Sequence, residues 1–121
     1  MKVKTSELTD IALDWAVTTI EQPEALRFGL EDWREQHRAH TRFGEYLHRW
    51  STSWSWAGPI IEREGMTLSC HWQRPYALKL LADEKRVVQG NGPTPLIAAM
   101  RCYVASKLGN EIEVPNELTG E

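Results

Sequence analysis

The chain opens on a short alternation, Lys2-Val3-Lys4, which predicts a strand. Apolar residues then recur at helical spacing. Leu8, Ala12, Trp15, Ala16 and Ile20 share one face of a helix that begins after Thr9. Thr9 is the expected N-cap, Asp10 stands in the first turn, and Leu8 and Leu13 hold the two positions of a hydrophobic staple. A second helical pattern starts at Pro23 and runs through Leu26, Leu30, Trp33, His37, His40, Leu47 and Trp50, with one slip near Gly44. It predicts a long helix over 23–50, or two helices meeting near Gly44.

The period then changes. Trp50, Trp54 and Trp56 stand among Ser51, Thr52 and Ser53 and run into Gly58-Pro59. The hydroxyls and the Gly-Pro pair predict extended chain from about residue 51, which puts Trp54 and Trp56 on one side. Residues 59–64 and 66–72 have strand composition, and Met66, Leu68, Cys70 and Trp72 alternate with Thr67, Ser69 and His71. Arg74-Pro75 reads as a turn, Tyr76, Leu78 and Leu80 as a third strand, 82–85 as a turn and 86–89 as a fourth strand. Together they predict an antiparallel meander over 58–90. After the loop Gly90-Asn91-Gly92-Pro93, Thr94 caps a helix with Pro95 at its first position and Leu96, Ala99, Met100, Tyr103, Val104 and Leu108 on its inner face. Gly109 ends it, and 111–115 predicts a last short strand. The fold class is α+β. One domain over 1–121 has a small antiparallel sheet covered by N-terminal and C-terminal helices, with 23–50 as a helical insertion.

Composition narrows the class. With 41% hydrophobic and 26% charged residues the chain is an ordinary globular one. The net charge of −3 argues against a whole-surface nucleic-acid binder and makes nucleic acid an unexpected partner. Two cysteines without a CxxC pair fit a reducing compartment. No stretch has the roughly 20 apolar residues of a membrane span, so no membrane is expected, and the first residues carry no apolar core of signal-peptide length.

Candidate chemistry is thin. Glu62, Glu64, His71, Asp83 and Glu84 are the acid–base residues, and Glu62 and Glu64 would share a strand face. No nucleophile motif accompanies them, so no catalytic residue is assigned. His37 and His40, or Cys70, His71 and Cys102, lack the paired spacing of a structural zinc site, and no metal or cofactor is expected. Arg34, Arg38, Arg42 and Arg49 form a basic stripe, diluted by Glu31, Asp32, Glu35 and Glu45. Indole faces, arginines and a helix N-terminus after a Gly-rich loop together suit a planar, anionic, nucleotide-like ligand. On that reading Trp54, Trp56, Arg49, Gly92, Thr94 and Arg101 bind it, with Trp54 packed inward and Trp56 at the rim. The competing reading is that all three rings are core. The stripe Leu26, Leu30, Trp33, His37, His40 and Trp50 further suggests a homodimer or higher oligomer through 23–50.

Three blocks carry a resemblance. They are MKVKTSELTDIALDWAV at 1–17, GPIIEREG at 58–65 and GPTPLIAAMRCYVASKLGNEIEVP at 92–115. In order and content they resemble the NinX-like family of small proteins of tailed phages and prophages. Before Gly58 the family pattern has an aspartate ahead of its tryptophan. Here STSWSWAGP lacks it, Trp54 matches the tryptophan, and Trp56 is extra. The resemblance implies a phage origin and the host bacterial cytoplasm, and implies no chemistry. Small size, missing catalytic motifs and an aromatic pocket then suggest a non-enzymatic counter-defence factor, acting on a nucleotide-derived molecule or on a host defence protein. A replication or recombination factor that binds protein or nucleic acid is the alternative, and an enzyme acting on a small phosphorylated molecule is third.

Overall fold

The computed structural model describes residues 1–38, 47–81 and 86–119. The expectations that fall on His40, Arg42, Gly44, Glu45, Asp83 and Glu84, and the turn at 82–85, lie outside the described residues. Helix α1 (Asp10–Glu21), α2 (Leu30–Arg38), α3 (Trp54–Glu64) and α4 (Pro95–Leu108) combine with five strands, β1 (Lys2–Lys4), β2 (Thr67–His71), β3 (Arg74–Leu80), β4 (Val87–Asn91) and β5 (Glu111–Glu113). Strands β2-β3-β4 form one antiparallel sheet, and β1 pairs with β5 in a separate antiparallel ladder. The class is α+β.

The organising element is α4. Leu96, Ala98, Ala99, Met100, Cys102, Tyr103 and Val104 are all buried, so this helix is apolar nearly all round and lies inside the molecule. The sheet packs on one side of it, and α1 and α3 pack on others. α1 joins the sheet through α4. Thr94 caps α4, its hydroxyl accepting from the Ile97 amide at 3.1 Å. Leu108, expected on the inner face, is exposed, because it falls in the last turn beyond the sheet's reach. Gly90 marks the closest approach of strand to helix. A Cβ there would lie 2.4 Å from the Ala98 carbonyl oxygen and 2.5 Å from the Cys102 amide nitrogen, so only glycine lets β4 rest on α4.

Several expectations are corrected, among them the loop at Gly90-Asn91, which instead ends β4. The segment 23–50 does not form one long helix: Pro23–Leu26 is a 3-10 turn, and Gly29, at φ +98°, breaks the chain before α2. The hairpin turn is not at Arg74-Pro75, which lie in β3. It is the two-residue turn Trp72-Gln73, with His71 paired to Arg74. Finally, residues 54–64 are helical, not extended. Trp56, Ala57, Ile60 and Ile61 recur at three-and-four spacing, and Ala57 and Ile60 are buried. That burial outweighs Pro59, which removes one hydrogen bond inside the helix. Trp15, expected as a core anchor, is partly buried at the core margin.

Candidate functional site

The junction that precedes α3 is set by a buried carboxylate. Asp14 on α1 is buried, its Oδ2 lying 2.7 Å from His37 Nε2 on α2 and its Oδ1 accepting from the Ser51 backbone amide at 2.8 Å. Trp50 beside it donates its indole N–H to Thr18 Oγ1 at 3.1 Å, and the Thr18 hydroxyl donates to the Asp14 carbonyl. α1 thus clamps residues 50–51 with two hydrogen bonds, and a buried carboxylate without such partners would be costly. Rings fill the space around the clamp. Trp33 stacks on His37 with centroids 5.0 Å apart, His48 lies 5.6 Å from Trp56, and Trp56 meets Trp50 edge-on at 4.9 Å. Burial lowers the pKa of His48, which favours the neutral ring.

The clamp leaves the next residues over the start of α4. Ser51, Thr52 and Trp54 with Thr94, Pro95, Leu96 and Ile97 line a cleft of about 290 Å³. Trp54 is 55% exposed at its edge. Ser51 is buried, and its hydroxyl has no hydrogen-bond partner among the described residues. The roles expected of the two rings are therefore exchanged: Trp54 is the open one, and Trp56 is packed inward against Trp50. The helical spacing explains the exchange, since residues 54 and 56 fall on different faces of α3.

Of the six expected ligand-binding residues, the fold brings Trp54 and Thr94 together. Trp56 lies behind them. Arg49 turns inward and donates to the His37 carbonyl at 2.6 Å. Arg101 donates to the Leu8 carbonyl at 2.8 Å and to the Asn91 carbonyl at 2.9 Å, beside a different cleft of about 200 Å³ at the β4 edge. Gly92 lies against Ile97, outside the Trp54 cleft, and among the described residues the cleft wall carries no arginine.

A second polar cluster joins four elements. Arg63 on α3 bridges Glu21 on α1 at 3.0 and 2.6 Å, and the Tyr103 hydroxyl of α4 donates to the same carboxylate. Glu64 faces Arg63 at 2.9 Å, Lys79 of β3 at 3.5 Å and Lys107 of α4 at 3.3 Å. The hydrogen bond from Arg63 lowers the pKa of Glu21, and hydrogen bonds from Arg63 and Lys107 lower that of Glu64 against the opposing effect of burial. Burial and the neighbouring Glu21 raise that of Tyr103. Both carboxylates stay ionised and matched, the arrangement of a structural ionic lock. Glu62 does not share a face with Glu64: two residues apart on a helix, it points to solvent.

Sequence reasoning missed Asp14, His37 as its partner, Glu21 and Tyr103. A signal for Asp14 was present, since a carboxylate one turn before Thr18 stands on the same stripe as buried Val17 and Leu13. Cys70 is exposed and Cys102 is buried, where it donates to the Val88 carbonyl and burial pushes its pKa up to about 11. Among the described residues no three metal-ligating side chains gather at one point, and no helix is long and apolar enough to cross a membrane.

The family described as Bacteriophage P22, NinX matches residues 4–107. The chain belongs to this family. Membership supports a phage accessory protein. The NinX match spans the clamp, the Trp54 cleft and the ionic cluster, whereas β5 lies beyond it. No curated protein matches the chain.

Proposed function

We propose that this NinX-family protein is a non-enzymatic binding factor that works in the host bacterial cytoplasm and blunts host defence by holding a planar, nucleotide-derived small molecule. The observation that carries the reading is the Trp54 cleft. It offers an open indole face, two exposed threonines and, beneath them, a buried serine hydroxyl without a partner among the described residues. It lies at the start of α4, where the helix dipole favours an anionic group although Pro95 has no N–H and Thr94 holds the Ile97 amide. The saturated state of Glu21, held by Arg63 and the Tyr103 hydroxyl, and of Glu64, held by three cations, supports binding over turnover, because a carboxylate so occupied is a poor proton acceptor.

The test is tryptophan fluorescence and calorimetry against linear and cyclic nucleotides. A bound nucleotide quenches the wild type, and Trp54→Ala loses about 1–3 kcal/mol of that binding, the scale of one stacked base, with an unchanged unfolding curve. The compound comes back chemically intact after the protein is denatured. Full affinity in Trp54→Ala removes the cleft as the seat, and recovery of a converted product removes the non-enzymatic reading.

A further inference from the structure

The chain's net charge of −3 conceals a segregation. Residues 65–81 and 86–110 contain Arg74, Lys79, Arg86, Arg101 and Lys107 and no aspartate or glutamate. These stretches include β2, β3, β4 and α4. The only acids between them, Asp83 and Glu84, lie outside the described residues.

The sheet has two unlike faces. One lies on α4 and carries Leu68, Ala77, Lys79, Val88 and Gly90. The opposite face is built in rows fixed by the register: Ser69, Tyr76 and Asn91 in one, Thr67, Leu78 and Gln89 in the next. Each of these two rows places an aromatic or apolar side chain between a hydroxyl and an amide, and the next row on the same face, Leu80 with Val87, is apolar and exposed. The flanking Ser69, Thr67, Gln89 and Asn91 are exposed, and Gln89 and Asn91 hydrogen-bond along the face at 2.9 Å. Arg74 and His71 form the row beside the turn. At the Asn91 edge stands Arg101, and Lys4 lines the same 200 Å³ cleft.

The turn adds an independent sign. Trp72 and Gln73 both adopt positive φ, 52° and 62°. A two-residue hairpin of this geometry favours Asn-Gly, and a bulky residue there is strained. The conformation leaves the Trp72 indole 84% exposed, edge-on to His71 at 5.8 Å. A strained turn that presents a ring to solvent serves recognition better than stability.

We propose that this face, with Trp72 at its end, is a docking surface for single-stranded nucleic acid. Trp72 and Tyr76 stack on bases, the hydroxyls and amides of the rows meet base edges or sugars, and Arg74, Arg101 and Lys4 follow phosphates. An aromatic platform edged by cations is the chemistry such strands require. The described sheet strands carry no carboxylate, and the one at their margin is Glu111, opposite Lys4 in the cleft beside Arg101. This surface is separate from the Trp54 cleft.

Fluorescence anisotropy of labelled oligothymidine and oligouridine, about 20 nucleotides long, at roughly 50 mM salt tests the proposal. The expected result is binding of at least one strand that weakens with salt. Trp72→Ala and Tyr76→Ala each weaken it about tenfold. Arg74→Gln lowers the log–log salt slope by about 0.7, the value for one phosphate of a single strand. The double variant Trp72→Asn, Gln73→Gly raises the unfolding midpoint while it weakens binding, which a purely structural turn does not do. Trp54→Ala leaves binding unchanged. The proposal is overturned if neither strand binds at high micromolar protein, if Trp72→Ala and Tyr76→Ala bind as the wild type does, or if an acidic peptide of equal charge binds as tightly as the oligonucleotides.

Discussion

The sheet with α4 and the helical region from α1 to α3 are held together by different means. The sheet side rests on local pairings: strands joined by short links, a helix capped by Thr94, and one glycine at the contact. The helical side rests on contacts between residues far apart in the chain, above all Asp14 to His37 and to Ser51. The difference teaches where each side fails. A local pairing breaks by a clash at its contact, a distant one by loss of a single shared acceptor.

The largest expected effect follows on the helical side. Asp14→Ala strands the Ser51 amide and the His37 ring in a dry site, and loss of one member of such a buried pair costs about 3–5 kcal/mol. Urea unfolding measures it. A cost under 1 kcal/mol would mean that the clamp does not hold the helical side together. On the sheet side Gly90→Ala drives a methyl into the α4 backbone, which costs about 3 kcal/mol because neither partner is a flexible side chain. A wild-type midpoint would show that β4 slides off α4 freely.

Pro59→Ala sharpens the contrast from the other direction. If burial of Ala57 and Ile60 makes α3 helical against its own sequence, restoring the missing N–H raises stability by about 1 kcal/mol or more. A loss would assign Pro59 a packing role. The smallest effect is in pH. His48 has a lowered pKa in the folded state, so the unfolded chain takes up the proton first as pH falls below its ordinary value of 6.5. Stability therefore declines on acidification from that point, by at most about 1.4 kcal/mol per pH unit for one proton. His48→Gln should flatten the profile between pH 7 and pH 5, roughly the window in which a histidine titrates.

This contrast also governs what could be read from the sequence. β2, β3, β4 and α4 were legible, because alternation, a Thr-Pro start and a glycine stop are local signals. Trp72-Gln73 was not, since nothing in that pair announces positive φ. α3 was misread because Gly58-Pro59 and three hydroxyls speak for a loop, while the burial that overrules them comes from other parts of the chain. The same error exchanged Trp54 and Trp56. Of the expected site, Trp54 and Thr94 converged, and the arginines did not join them. Arginines are long and find the nearest carbonyl, which no spacing rule reveals. The stripe read as an oligomer contact shows Trp33, His37 and Trp50 buried within one chain, so it gives no reason of its own to expect an oligomer. Light scattering at high micromolar concentration decides the assembly.

The ladder of β1 and β5 has a mechanical consequence. Its first rung is Lys2 with Glu113, and residues 1 and 114 leave it on that same side, where the Met1 amino group donates to the Val114 carbonyl at 2.9 Å. Tension applied across residues 1 and 114 loads these rungs one after another, like the teeth of a zipper, and never all at once. Three ladder pairs, the Met1–Val114 pair ahead of them and the Thr5–Asn110 bond behind them stand in the way. A pull on residues 1 and 114 thus meets the rungs singly. Once the clasp has opened, Ile112 and Val114 leave the core, and the remaining fold must bear the load without them.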